Sequence, residues 1–142
     1  MLHVAASHET KRWRRSQFIA IAKWLRDTYL LKTRVIAGPG QDHLLERFSS
    51  FETMLGLDVK QLCGTIGNAA LFVGNDSGPA HIAAAYQIPT VVIFADSDSS
   101  VWGPWKTPSK IVESAKIDDV GPSEVKEAIK GLLSPPEGTG SP

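Results

Sequence analysis

The stretch Ala69-Ala70-Leu71-Phe72-Val73-Gly74-Asn75-Asp76-Ser77-Gly78-Pro79-Ala80-His81-Ile82-Ala83-Ala84-Ala85-Tyr86 decides the fold. The apolar run from Ala69 to Val73 breaks off at Gly74, small polar residues follow, and an alanine-rich segment opens after Pro79. This reads as a buried strand, a tight turn and a helix from Ser77 to Tyr86. Pro79 falls in the first turn, where its missing N–H is an orphan in any case. Gly78 allows a ligand to approach the backbone closely, and the free N–H groups of such a turn attract anions. Ser77 and His81 lie four residues apart and share a face, and first-turn side chains lean toward the helix start. A phosphate group is the natural ligand of this arrangement. The alternative is an ordinary strand-to-helix turn capped by Asp76 or Ser77, with His81 half-buried and satisfied.

Outward from this unit the chain alternates strands and helices. Apolar runs predict strands at Leu2–Ala5, Thr33–Ala37, Thr53–Leu55, Ala70–Val73, Thr90–Ala95 and Ser109–Val112. Helical spacing or capping residues predict helices over Ser16–Tyr29, Asp42–Phe51, Asp58–Asn68, Ser77–Tyr86 and Ser123–Leu133. Such alternation implies an α/β fold, a Rossmann-like parallel sheet with helices on both faces and ligands at the carboxyl ends of the strands. The expected strand order is 3-2-1-4-5-6.

Composition bounds the class. A chain of 142 residues with 42% hydrophobic content suits one α/β domain, expected over residues 1–133. The tail from Ser134 to Pro142 is made of turn formers and reads as disordered. Fifteen basic and fifteen acidic side chains cancel, so no global field favours nucleic acid or an anionic membrane. One cysteine, Cys63, excludes an internal disulfide and a multi-cysteine zinc site, and it reads as a small core residue. His3, His8, His43 and His81 show no metal-ligand spacing. No run approaches the roughly 20 apolar residues of a membrane span, and no signal-peptide pattern opens the chain. The expected location is the cytoplasm. Gly38-Pro39-Gly40 lacks the third glycine of a dinucleotide fingerprint, and no Walker-type loop occurs.

A second feature lies after the first strand, in Lys11-Arg12-Trp13-Arg14-Arg15. Four cations near a helix start oppose the macrodipole, by a few tenths of a kcal/mol each. By itself such a run reads as a solvated basic face or a nucleic-acid patch. Placed on the same carboxyl edge as Asp76–His81, it would be explained by a diphosphate held between two helix N-termini. Asp42, after Gly38-Pro39-Gly40, reads equally as a helix cap.

The run Asp76-Ser77-Gly78-Pro79-Ala80-His81-Ile82-Ala83-Ala84 closely resembles the nucleotide-sugar signature of glycosyltransferase family nine, the bacterial heptosyltransferases. Lys11-Arg12-Trp13, with Ser7 before it, resembles the Lys-x-Trp that members carry after their first strand in this half. The resemblance spans about His3 to Val112 and implies the C-terminal, donor-binding half of a two-domain GT-B enzyme. The acceptor site and general base would belong to a missing N-terminal domain.

It further implies inverting transfer from a nucleotide-diphosphate sugar, expected to be ADP-heptose, to a lipopolysaccharide core sugar. Lys11 and His81 would stabilise the departing diphosphate. Ser7, Lys11, Asp42, Asp76, Ser77, Gly78 and His81 would bind the substrate, with Asp42, or Glu46 one turn on, at the ribose. No metal and no cofactor are expected. Trp13 reads as packing rather than ligand contact. The full-length enzyme would be peripheral at the inner membrane, and this half alone would be inactive. It would expose apolar surface around Trp102 and Trp105 that could drive self-association. The segment Ser97–Trp105 departs from the family's usual Gly-Pro-Thr turn, and Arg14 stands where proline is frequent. Two other classes remain open: a non-catalytic nucleotide-binding or interaction module, and a hydrolase using Ser77, His81 and Asp76. The hydrolase lacks a Gly-x-Ser-x-Gly elbow.

Overall fold

The computed structural model describes residues 1–5, 12–37, 41–54, 56–75, 78–95, 109–114 and 116–133, apart from the side chains of Asp42 and Ala95. Six strands, β1 (Leu2–His3), β2 (Arg34–Ile36), β3 (Glu52–Met54), β4 (Phe72–Asn75), β5 (Thr90–Ala95) and β6 (Ser109–Ser114), form one sheet. Every neighbouring pair is parallel and the order is β3-β2-β1-β4-β5-β6, as the alternation implies. Chain direction across the sheet reverses between β1 and β4, which is where doubly wound sheets open a crevice at their carboxyl ends.

Helices α1 (Arg15–Tyr29), α2 (Val59–Gly67), α3 (Gly78–Ala85) and α4 (Pro122–Leu133) cover the two faces. In α1, Phe18, Ile21, Ala22 and Leu25 are buried, the i, i+3, i+4, i+7 stripe of a helix with one apolar face. This stripe, Val125 and Ile129 of α4, and Leu44, Leu45 and Phe48 pack with Leu2, Val35, Val73, Val91 and Ile93 on one face of the sheet. On the other face Ile66 of α2 and Ala80, Ala83 and Ala84 of α3 pack with Ile36, Phe72, Val92 and Phe94. The period-two pleat produces this division: Val91 and Ile93 point one way, Val92 and Phe94 the other.

Several boundaries differ from the sequence reading. The segment Asp42–Phe48 is a 3-10 helix, and its cap position is Gln41, which makes no side-chain cap hydrogen bond. The cap position is therefore one residue earlier than the one read for Asp42. β4 runs on through Gly74 and Asn75, so Gly74 is inside the strand and does not end it. A Cβ on Gly74 would lie 2.9 Å from Phe72 Cε1 and 3.2 Å from the Cβ of His3, so close packing selects glycine there. Ser123 is the second residue of α4, with Pro122 at the first position that suits it. A short 3-10 turn at Ile117–Asp119 precedes it and was not expected. Asp58 caps α2 as predicted: its Oδ1 accepts from the Gln61 N–H at 2.7 Å, and its own N–H donates to Gln61 Oε1 at 3.0 Å. Cys63 is a half-buried free thiol and not a core residue, because only Ile66 of α2 is fully turned inward.

His3 of β1 is buried and its ring stacks on Phe72, with centroids 6.4 Å apart. Burial disfavours the imidazolium and lowers its pKa from 6.5 to about 4. Between those values the unfolded chain binds a proton that the folded chain does not, so stability rises with pH through that window and is complete above it. Acidifying from pH 7 to 4 is expected to remove roughly 3 kcal/mol through this group. Urea unfolding across that range should show the slope, and His3→Leu should make it shallower, leaving the part due to the buried Met1 amino group, whose pKa is lowered to about 5. Gly74→Ala should destabilise by about 1–3 kcal/mol in the same assay, the usual range for overpacking.

Candidate functional site

The carboxyl edge is organised by Asn75, the last residue of β4, which has no solvent exposure. Its Oδ1 accepts a hydrogen bond from the backbone N–H of Trp13 at 3.0 Å, and its Nδ2 donates to the Ala5 carbonyl at 3.3 Å. Ala5 follows β1 and Trp13 precedes α1, so one carboxamide ties both ends of the connection that contains Ser7 and Lys11. A buried amide left unpaired costs roughly 1–3 kcal/mol, and here both ends of the group are satisfied.

Trp13 completes the anchor. It is 1% exposed, its Nε1 donates to the Val120 carbonyl at 2.9 Å, and its ring meets Phe18 edge-on at 5.0 Å. Trp13 is thus a packing residue, as the sequence reading favoured. The N-cap of α1 is Arg14, which offers no side-chain cap, and the first turn carries no acidic residue. Arg14 Nε lies 3.1 Å from Asp118 Oδ1, with both side chains more than half exposed, a geometry worth little to stability.

α3 starts at the carboxyl end of β4. Ala80, Ala83 and Ala84 are buried, and these small side chains let the helix lie close on β4 and β5. Gly78 is exposed, and a Cβ there would meet no described residue within 4 Å. His81 is exposed on the first turn of α3, which replaces the half-buried alternative. Glu46 is exposed on the 3-10 helix after β2. Ser7, Lys11, Asp76, Ser77, Trp102 and Trp105 lie outside the described residues, as does the side chain of Asp42. Among the described residues no group of three His, Cys, Asp or Glu side chains could hold a metal ion, and no helix is long and apolar enough to cross a membrane.

Asn75 is the functional residue that sequence reasoning missed. Inside Gly74-Asn75-Asp76-Ser77-Gly78 an asparagine reads as a turn former. The available signal was its place directly after a buried strand, where a side-chain amide can replace ladder partners.

A Rossmann-like parallel sheet whose strand order reverses at β1 and β4, with two helix starts on that edge, defines the class. The family model for glycosyltransferase family 9 (heptosyltransferase) matches residues 1–129, and the chain belongs to that family. Lipooligosaccharide heptosyltransferase 2 of Campylobacter jejuni serotype O:6 is 33% identical over 95 residues, covering 54% of this chain and 30% of that protein. The solved glycosyltransferase family 9 structure from Veillonella parvula superposes with a TM-score of 0.82 at 19% identity, over 93% of this chain and 45% of that one. The Escherichia coli heptosyltransferase WaaC with ADP superposes with a TM-score of 0.77 at 17% identity, over 92% of this chain and 43% of that one. The chain therefore spans less than half the length of these proteins.

Asn75→Leu keeps much of the volume but orphans the Trp13 N–H and the Ala5 carbonyl. It should lower stability by about 2–6 kcal/mol, the sum expected for two buried polar groups. Urea unfolding measures the loss, and amide exchange should accelerate at Trp13 before it does in β5.

Proposed function

We propose that this chain is the donor-binding half of a heptosyltransferase that moves a sugar from a nucleotide-diphosphate sugar, ADP-heptose, to a lipopolysaccharide core sugar with inversion. The observation that carries the reading is the Asn75 tie. It fixes both ends of the Lys11 connection to the residue immediately before Asp76-Ser77-Gly78 at the switch point. Two further facts support it: the family membership of residues 1–129, and the likeness of the fold to a heptosyltransferase solved with ADP.

In this reading the diphosphate lies between the starts of α1 and α3. Negative charge builds on it as the sugar departs, and only contacts that strengthen as it does so accelerate the reaction. Lys11, the backbone N–H groups of Ser77 and Gly78, and His81 supply those contacts, fixed in place before the charge develops. Asp42 or Glu46 holds the ribose. The general base that activates the acceptor hydroxyl belongs to the other half, so this chain alone binds the nucleotide and transfers nothing. The reaction needs no metal ion. The full-length enzyme works in the cytoplasm, at the inner face of the membrane that holds its acceptor.

Titration calorimetry with ADP tests this. Weak binding is expected, because one wall of the cleft is missing and a part-solvated charge pair gains little. Lys11→Ala should weaken it by roughly 1–3 kcal/mol, the range of a charge-assisted hydrogen bond, and magnesium should leave it unchanged. No heat at millimolar ADP, or equal binding by Lys11→Ala, overturns the assignment.

A further inference from the structure

A concavity of about 330 Å³ lies between the start of α1 and the 3-10 helix Asp42–Phe48. That volume is at the lower end of the roughly 300–1,000 Å³ span of small-molecule sites. Arg12, Arg14, Arg15 and Arg47 line it together with Trp13, Ser16 and Leu44, and no carboxylate is among the described lining residues. Only Arg14 has an ion-pair partner among the described residues. The Nε of Arg12 is fully buried and makes no hydrogen bond to any described residue. A buried charged donor without an acceptor is costly, and so is a set of like charges gathered at the positive end of a helix dipole. Neither α1 nor the core needs these charges: the buried stripe of α1 is Phe18, Ile21, Ala22 and Leu25. A bound anion would offset all of these costs at once.

We propose that this pocket is a second oxyanion site, separate from the donor diphosphate, that takes a phosphate monoester carried on a sugar. Guanidinium groups match phosphate oxygens in a bidentate fork, and four of them around one concavity suit a dianion better than a monoanionic carboxylate. The chain's zero net charge favours a single group over a polyanion. Leu44 and Trp13 supply apolar wall for the carbons that bear the phosphate. The pocket shares the α1 start with the donor diphosphate but lies on its β2 side, away from α3. Leu44 and Arg47 follow β2, two strands from β4, and Leu44 packs on the face of the sheet opposite to α3. It holds whether or not the nucleotide reading does.

The test is calorimetry of the 142-residue chain with inorganic phosphate and with glucose 6-phosphate, at constant ionic strength, with acetate as the third ligand. Both phosphates should bind in the millimolar range and acetate at least about tenfold more weakly. The double variant Arg15→Gln/Arg47→Gln should lose at least about tenfold in phosphate affinity, while its urea midpoint stays at or above the parent's because repulsion at the helix start is relieved. Lys11→Ala should bind phosphate as the parent does, and the double variant should still bind whatever ADP the parent binds. Three results overturn the proposal: no phosphate heat at tens of millimolar, acetate binding as tightly as phosphate, or phosphate binding lost in Lys11→Ala and kept in the double variant. The last would place the ion in the donor site.

Discussion

The carboxyl edge depends on one carboxamide. The ladder between β1 and β4 ends at His3 and Gly74, so beyond it the chain has no strand partner to fix its course. The Val4 N–H reaches the Ile36 carbonyl at 3.2 Å, and the Asn75 side chain then takes over, bonding Ala5 on one side and Trp13 on the other. With Asn75 fully buried, water cannot substitute for either bond, and the low local dielectric strengthens both. The start of α1 inherits its position from this link. So does the segment before α4, through the bond from Trp13 to Val120.

Close approach governs the neighbouring layer. Gly74 leaves room for Phe72 and His3, whose rings stack on the α3 face of the sheet. The alanines of α3 then allow that helix to lie close to β4 and β5, which sets its first turn at the strand ends. Small residues thus position the helix start, while the apolar surface that stabilises the layer comes from Ile36, Ile66, Phe72, Val92 and Phe94.

The strand order was legible in the alternation of strands and helices under the crossover rule, and the Asp58 cap in a short-range capping pattern. What escaped depends on contacts distant in the chain. Gly74 and Asn75 read as turn residues from their neighbours, yet Gly74 is hemmed in by Phe72 and His3 and Asn75 bonds Ala5, with His3 and Ala5 each about 70 positions away. Asp42–Phe48 carries the apolar spacing of an α-helix in Leu44, Leu45 and Phe48, yet winds as a 3-10 helix. Of the candidate site, His81 and Gly78 stand exposed at the start of α3, where the motif implies. The gathering of Arg47 with the Arg12–Arg15 run was not legible, since they are more than 30 residues apart and meet only through the packing of two helices on one face.

Electrostatics then separates what the fold needs from what it merely tolerates. Trp13 sits in the middle of the basic run, and its burial forces the flanking residues to the rim of the same edge. Arg14 finds Asp118 on the segment that also presents Val120 to the indole, so this pair follows from the anchor and adds little of its own. Arg12, Arg15 and Arg47 have no ion pair among the described residues, and the α1 dipole disfavours the first two. Stability alone would place acidic or neutral residues at that helix start, as it places the Asp58 carboxylate at the start of α2. The two helix starts differ in chemistry: α2 carries a carboxylate cap, whereas α1 begins uncapped where the sheet opens. Charge there is better spent on a ligand than on the helix.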